Sequence, residues 1–148
     1  MPEFRKDQSI RNDHIQSRAI VIRNGKILVM FRRKNKEEYY VIPGGHMRDG
    51  ETPEETATRE VEEETTVKIN TLKPAYEITD YAGKRPNKEY YFTAEWQEGE
   101  PILSGEESGR SDESNFFLPM WIPLTDVPKL LLYPLHLKEW ISTNLINV

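Results

Sequence analysis

The 148-residue chain contains no cysteine. Disulfides, thiolate metal sites, iron–sulfur clusters and a cysteine nucleophile are thereby excluded. Long apolar runs are missing too: stretches such as Leu130-Leu131-Leu132 fall far short of the ~20 residues that a membrane-spanning helix needs. The opening Met1-Pro-Glu-Phe-Arg-Lys-Asp is charged and lacks an apolar core, so no signal peptide is expected. Positive charge is in deficit, with 20 Lys and Arg against 25 Asp and Glu, a net −5. That sign argues against a protein that coats nucleic acid, which would carry a basic stripe. The expectation is a soluble, cytoplasmic chain with one core, since domains cluster near ~100–150 residues.

The charge that is present is unevenly placed. Between Tyr39 and Glu64 stand eight acids, Asp49, Glu51, Glu54, Glu55, Glu60, Glu62, Glu63 and Glu64, opposed by Arg48 and Arg59, which leaves 18 basic and 17 acidic residues elsewhere. A block of −6 repels itself unless it is solvated or a positive partner sits in it. Both a charged helix face in water and a divalent-cation site fit this composition, and spacing has to separate them.

Residues 1–14 are polar, carry little pattern and are set apart as an N-terminal extension. From residue 15 to 23 (IQSRAIVIR) the chain is rich in β-branched residues, Asn24-Gly25 follows, and KILVMFR covers 26–32. Two apolar runs split by Asn-Gly predict a hairpin, because both turn positions need positive φ. Residues 33–38 read as a charged loop and 39–42 as a short strand that Pro43 ends. After Gly44-Gly45 a loop runs to Glu51. Thr52 then suits a helix N-cap, Pro53 the first turn, and Glu55 completes a capping box. The helix is expected to run to about Thr65, with Ala57 and Val61 as its apolar seam. Residues 67–81 are strand-like around Pro74, 83–88 have turn composition, and 89–96 form the return strand. Residues 104–115 are a polar loop, 116–123 a further strand, and 134–145 a closing helix with Leu137, Trp140 and Ile141 at helical spacing. Mixed strands with two helices give an α+β sheet–helix sandwich, and 15–148 is read as its single domain.

On the first helix, at ~100° per residue, Glu63 and Glu64 lie within ~60° and ~40° of Glu60, on either side of it, whereas Glu62 points away. Three carboxylates so close destabilise a bare helix. Hard oxygen donors at that spacing suit Mg²⁺ or Mn²⁺, above all where substrate phosphates complete the shell. Upstream, Gly44-Gly45 lets the backbone approach a ligand or metal closely, and Glu51 stands where it can reach back over the loop.

Taken together, Gly45, five residues, Glu51, seven residues, then Arg59-Glu60-Val61-Glu62-Glu63-Glu64, with Val67 after two more, resembles the signature of the Nudix hydrolase family, Gly-x5-Glu-x7-Arg-Glu-U-x-Glu-Glu-x-Gly-U, where U is a bulky aliphatic residue. One defined position departs: Thr66 stands where the family has glycine. A β-branched residue in a left-handed helix end costs about 1–2 kcal/mol, unless the helix ends differently, and no ligand is lost. The strand Tyr40-Val-Ile-Pro-Gly-Gly45 before the box and Met120-Trp-Ile-Pro-Leu124 with 130–134 after it extend the resemblance to about residues 15–145.

The resemblance implies an α/β/α sandwich around a mixed sheet, with the box as a loop–helix–loop. It implies a pyrophosphohydrolase that cleaves the diphosphate of a nucleoside diphosphate linked to another moiety, such as ADP-ribose, a nucleotide sugar, a dinucleotide or a modified triphosphate. Carried over by position, Glu60, Glu63 and Glu64 bind Mg²⁺ or Mn²⁺, with the Gly45 carbonyl added to the shell. Glu51 assists electrostatically or through a bound water, and Arg59 orients the helix carboxylates by salt bridging. The general base is either Glu63 or an acid of the 104–115 loop, Glu106 or Glu107. Such a site needs the cation, because a diphosphate cannot approach eight acids without charge neutralisation. The implied partner is a small nucleotide derivative, with no membrane and no stable nucleic-acid partner; dimers are common in the family, so a homodimer is among the expected states. RNA cap removal would call for basic surface that the chain lacks. The alternative of another class is a non-hydrolytic nucleotide sensor on the same fold. His46, after the two glycines, reads first as a solvent-facing loop residue, and the tyrosines at 39, 40, 81, 90 and 91 read as strand packing before stacking platforms.

Overall fold

The computed structural model describes residues 10–102 and 115–146. These residues form seven strands: β1 (Ile15–Arg23), β2 (Lys26–Lys34), β3 (Glu37–Val41), β4 (Gly44–His46), β5 (Lys68–Asp80), β6 (Asn87–Glu98) and β7 (Asn115–Pro123). Among the described residues two α-helices accompany them, α1 (Pro53–Thr65) and α2 (Leu135–Asn144).

Asn24 and Gly25 turn the first hairpin with φ of 50° and 74°, the left-handed pair that the dipeptide predicts. Strands β1 and β2 pair only beside this turn, at Ile22 with Ile27 and Arg23 with Lys26, and then separate. Strand β1 runs parallel to β6, which pairs antiparallel with β5, while β4 lies antiparallel along the other edge of β1. Strand β2 is flanked by β3 and β7, both antiparallel. The sheet is therefore mixed, and its two wings diverge from one hairpin.

Each helix covers one face. Ala57 and Val61 of α1 are fully buried with Ala19, Val21, Leu28, Tyr90 and Phe92. On the opposite face Leu137 and Ile141 of α2 are buried with Ile20, Val29, Ile42 and Tyr91. The alternation of β1, with Ala19 to one side and Ile20 to the other, is the period of two that a sheet covered on both faces requires. The result is the expected α+β sandwich.

Local differences from the sequence pattern have simple causes. Residues 33–38 are not a charged loop but a tight hairpin: Asn35 and Lys36 take φ of 51° and 72°, and Arg33 pairs with Glu38 across it at 3.1 Å. The strands thus reach further than their apolar cores because cross-strand ion pairs replace apolar contacts at the tips. The stretch after Pro43 is likewise not all loop; Gly44–His46 form β4 by pairing with Gln16, Ser17 and Arg18. Strand β5 continues through Pro74 at the cost of register shifts around Asn70–Lys73 and Pro74–Tyr76, which an edge strand tolerates. Ile10, from the N-terminal segment, is buried in the α1-side core.

Candidate active site

The helix that carries the acids begins as its sequence dictates. Thr52 caps it, its hydroxyl accepting from the Glu55 N–H at 3.1 Å while the Glu55 carboxylate accepts from the Thr52 N–H at 2.9 Å. Buried Ser17 of β1 donates to the Pro53 carbonyl at 2.6 Å, which pins this end of α1 to the sheet. The far end departs from habit. Thr66 takes φ 66°, ψ 0°, and its N–H closes on the Glu62 carbonyl. The helix thus stops in the left-handed turn for which glycine is usual, and Thr66 adopts it despite its branched Cβ. Part of the cost is offset, because the Thr66 hydroxyl donates to the Glu100 carbonyl at 2.9 Å.

Between these ends Arg59 organises the carboxylates. Its Nε and one terminal nitrogen donate to the two oxygens of Glu51 at 2.6 and 2.9 Å. The other terminal nitrogen donates to Glu60 at 2.7 Å and to Glu63 at 3.2 Å. A further bond at 3.0 Å reaches the His46 carbonyl. One planar guanidinium with five donors thus ties the loop to the helix, a role for which lysine has neither the fork nor the number. Glu51 also accepts from the Arg48 N–H at 2.8 Å and the Thr56 hydroxyl at 3.0 Å. Its hydrogen bonds to Arg59 first, and to these groups after it, bring its pKa from 4.5 down to about 2. The same pairing with Glu51, helped by Glu60, pushes the Arg59 guanidinium up.

The two glycines lie against different neighbours. A Cβ on Gly45 would stand 2.5 Å from the Glu60 carboxylate, so only glycine leaves that oxygen pair where it is. A Cβ on Gly44 would overlap the Ser17 carbonyl and the Arg18 side chain. The Gly44 N–H approaches Glu64 Oε2 at 3.4 Å. Glu51, Arg59, Glu60, Glu63, Glu64 and Gly45, scattered over 20 residues of sequence, are thus gathered along one side of α1. Glu106 and Glu107 lie outside the described residues.

Among the described residues no three acidic or histidine side chains are arranged so that they could hold a metal ion. In the hub, Glu60 and Glu63 each accept from Arg59. The donor chemistry nonetheless fits a hard divalent cation. Glu60, Glu63 and Glu64 offer oxygens alone, and the bare Gly45 backbone faces Glu60. Sequence patterns do not flag Arg48 and Thr56, the two further partners of Glu51. A hydroxyl five residues after an acid that precedes an N-cap is the one signal that could have found Thr56. His46 supplies its backbone carbonyl, and its exposed ring sits 3.4 Å from the Gln16 amide.

Comparison with known proteins identifies the domain and its fold. The model of the NUDIX domain matches residues 13–142. Among solved structures, the MutT NUDIX hydrolase from Burkholderia pseudomallei superposes with a TM-score of 0.66 at 21% identity, covering 88% of this chain and 96% of that one. A NUDIX hydrolase from Nitrosomonas europaea gives 0.66 at 16% identity, over 86% and 85% of the two chains. A NUDIX-family hydrolase from Clostridium perfringens gives 0.65 at 16% identity, over 90% and 99%. Identities this low speak to the fold, whereas the domain match spans most of the chain. The chain belongs to the Nudix hydrolase family.

Proposed function

We propose that the protein is a divalent-cation-dependent pyrophosphohydrolase that splits the diphosphate of a nucleoside diphosphate linked to a second moiety. The observation that supports this most directly is the Arg59 hub, in which one guanidinium draws Glu51, Glu60 and Glu63 together beside the bare backbone of Gly45. Like-charged carboxylates repel, and a fold that crowds them pays in stability; a cation-binding role explains why they are kept together.

In this reading Glu60, Glu63 and Glu64, with the Gly45 carbonyl, hold Mg²⁺ or Mn²⁺. The bound cation supplies charge neutralisation of the diphosphate and polarisation of a phosphoryl oxygen. The chain's own residues do the positioning. Glu51 stays ionised and anchors Arg59, and Arg59 sets the Glu60 and Glu63 carboxylates on the helix face. Glu63, the more exposed of these two at 47% against 17% for Glu60, is the candidate to accept the proton of the attacking water on a carboxylate oxygen; Glu107 is the rival for that role. Cleavage of the phosphoanhydride then depends on orientation and charge stabilisation.

The test is release of a nucleoside monophosphate or phosphorylated fragment with Mg²⁺ and with Mn²⁺, from ADP-ribose, nucleotide sugars, dinucleoside polyphosphates and oxidised nucleoside triphosphates. Glu64→Gln should lose at least about a hundredfold in turnover, since even residues that merely orient a metal ligand are worth ~10–100-fold. Wild-type protein that binds nucleotides but turns over none of them would instead identify a sensor.

A further inference from the structure

A cleft of about 390 Å³ opens beside the Gly44-Gly45 segment, walled by Arg18, Ile42, Ile78, Glu89, Tyr91 and Tyr133 among others. Its size falls in the ~300–1,000 Å³ range of small-molecule sites, which combine apolar and aromatic walls with a few placed polar groups. It communicates with the acids through the backbone. Arg18 lies across Gly44, where a Cβ would collide with it, and the N–H of the same glycine meets Glu64 at 3.4 Å. A ligand whose diphosphate rests at the acids has this cleft within reach for its remaining part.

The polar groups of the cleft are not equally available. Arg18 is already engaged, donating to the Ile42 carbonyl at 2.8 Å and to the Gln16 side chain. Glu89 is different. Its side chain is 28% exposed, and the Tyr91 hydroxyl donates to its Oε2 at 2.6 Å. Its Oε1 stands 3.8 Å from Arg18 Nε, beyond hydrogen-bond reach, and among the described residues no other donor is bonded to that oxygen. Tyr91 is buried, and burial, then the neighbouring carboxylate, pushes its hydroxyl pKa up, so it remains a donor and holds Glu89 in place. The cleft therefore presents a fixed, partly desolvated carboxylate with acceptor capacity to spare, which favours a ligand edge that donates.

Among nucleobases guanine meets that demand best, because its N1–H and 2-amino group are adjacent donors that a carboxylate can accept together. Hypoxanthine lacks the amino group. Adenine and cytosine place a ring-nitrogen acceptor beside their amine, and uracil flanks its imide with two carbonyls. We propose that Glu89, positioned by Tyr91, selects a guanine base in this cleft, so that the preferred substrate is a guanosine diphosphate linked to a second moiety. The proposal rests on the hydrolase reading of the neighbouring acids and deepens it.

The experiment has two arms. In EDTA, guanosine and inosine, which differ in the 2-amino group and carry no phosphate, are titrated into the full chain by NMR. With Mg²⁺, GDP-linked and IDP-linked compounds with the same second moiety are compared in kcat/KM. Guanosine should bind about ten- to a hundredfold tighter than inosine, less than the ~10⁴ of a fully buried site because Glu89 is partly exposed. The kcat/KM ratio should follow. Glu89→Gln should bring both ratios near one, and Tyr91→Phe, which keeps the ring, should lower them. Equal binding of the two nucleosides by the wild-type protein, or no nucleoside binding, overturns the proposal without recourse to any variant. Discrimination in EDTA without cleavage of any compound would leave the cleft assignment standing and remove the hydrolase reading. Equal cleavage of both compounds would do the reverse.

Discussion

Glu51→Gln isolates the charge that anchors Arg59. The substitution keeps the size of the side chain but presents an amide N–H₂ to donors that expect an acceptor, among them Arg59, the Arg48 N–H and the Thr56 hydroxyl. The native carboxyl is held at about 2 rather than 4.5, a difference that corresponds to about 3 kcal/mol of stability at neutral pH. Solvent at the rim of the site screens part of this, and about 2 kcal/mol is the working expectation. Because the folded value lies below the unfolded one, the contribution is complete above pH ~4.5 and fades as the pH falls through about 2.

The assay is urea unfolding of wild type and Glu51→Gln in EDTA at pH 7.5, 4.5 and 3, urea being chosen because it does not screen charge. The gap between the two proteins should be nearly full at pH 7.5, slightly smaller at pH 4.5, and reduced to half or less at pH 3. The variant has no carboxyl to titrate at this position, so the convergence must come from the wild type. A gap that stays constant from pH 7.5 to 3 would show that Glu51 acts through shape and not through its ionised pairing with Arg59.

Further expectations concern the other members of the site. Arg59→Lys keeps the charge but loses the fork, and should cost about 1.5–3 kcal/mol in unfolding free energy together with about ten- to a hundredfold in turnover; unchanged turnover would deny it the orienting role. Gly45→Ala places a methyl 2.5 Å from the Glu60 carboxylate and should reduce turnover about as much as Arg59→Lys, with circular dichroism unchanged. Thr66→Gly should be more stable to urea than Thr66→Ala by about 1–2 kcal/mol, since both lose the hydroxyl bond to Glu100 but alanine alone retains a Cβ in the left-handed turn; equal stability would mean that the turn carries no strain. Mg²⁺ at about 100 times its dissociation constant should stabilise the wild type by about 2.7 kcal/mol in thermal unfolding, and Glu64→Gln by much less.

The parts of this structure that were legible in the sequence are those fixed by local rules. Asn24-Gly25 announces its turn because few other residues accept positive φ in succession, and Thr52, Pro53 and Glu55 announce a helix start because each answers an unsatisfied backbone group. The spacing of Glu60, Glu63 and Glu64 fixes their common face by helix geometry alone. Legibility fails where long-range pairing decides. Gly44–His46 look like loop in isolation and become strand because β1 offers an edge. Residues 33–38 look too charged for a hairpin until Arg33 meets Glu38 across it. Arg18 and Glu89 belong to strands separated by 71 positions, and only the parallel pairing of β1 with β6, which sets Gln16 opposite Glu89, brings them to one cleft. Thr66 was legible as an anomaly but not in its outcome, because propensity alone does not say whether strain is accepted or avoided.

That long-range pairing also accounts for the need for two glycines where one would suffice for a turn. In β4 the register sets Gly44 opposite Arg18 and Gly45 opposite Ser17, and successive strand residues face opposite sides. Gly45 is bare toward α1, where Glu60 occupies the space of a side chain. Gly44 is bare toward the other face, where Arg18 occupies it. The acids and the cleft are therefore separated by the thickness of one backbone that carries no side chain on either side. On the proposed reading, the acids on one face would stand at a fixed distance from the cleft on the other. The distance is set by the β1–β4 pairing and not by any loop, so it survives changes in the loops that surround it.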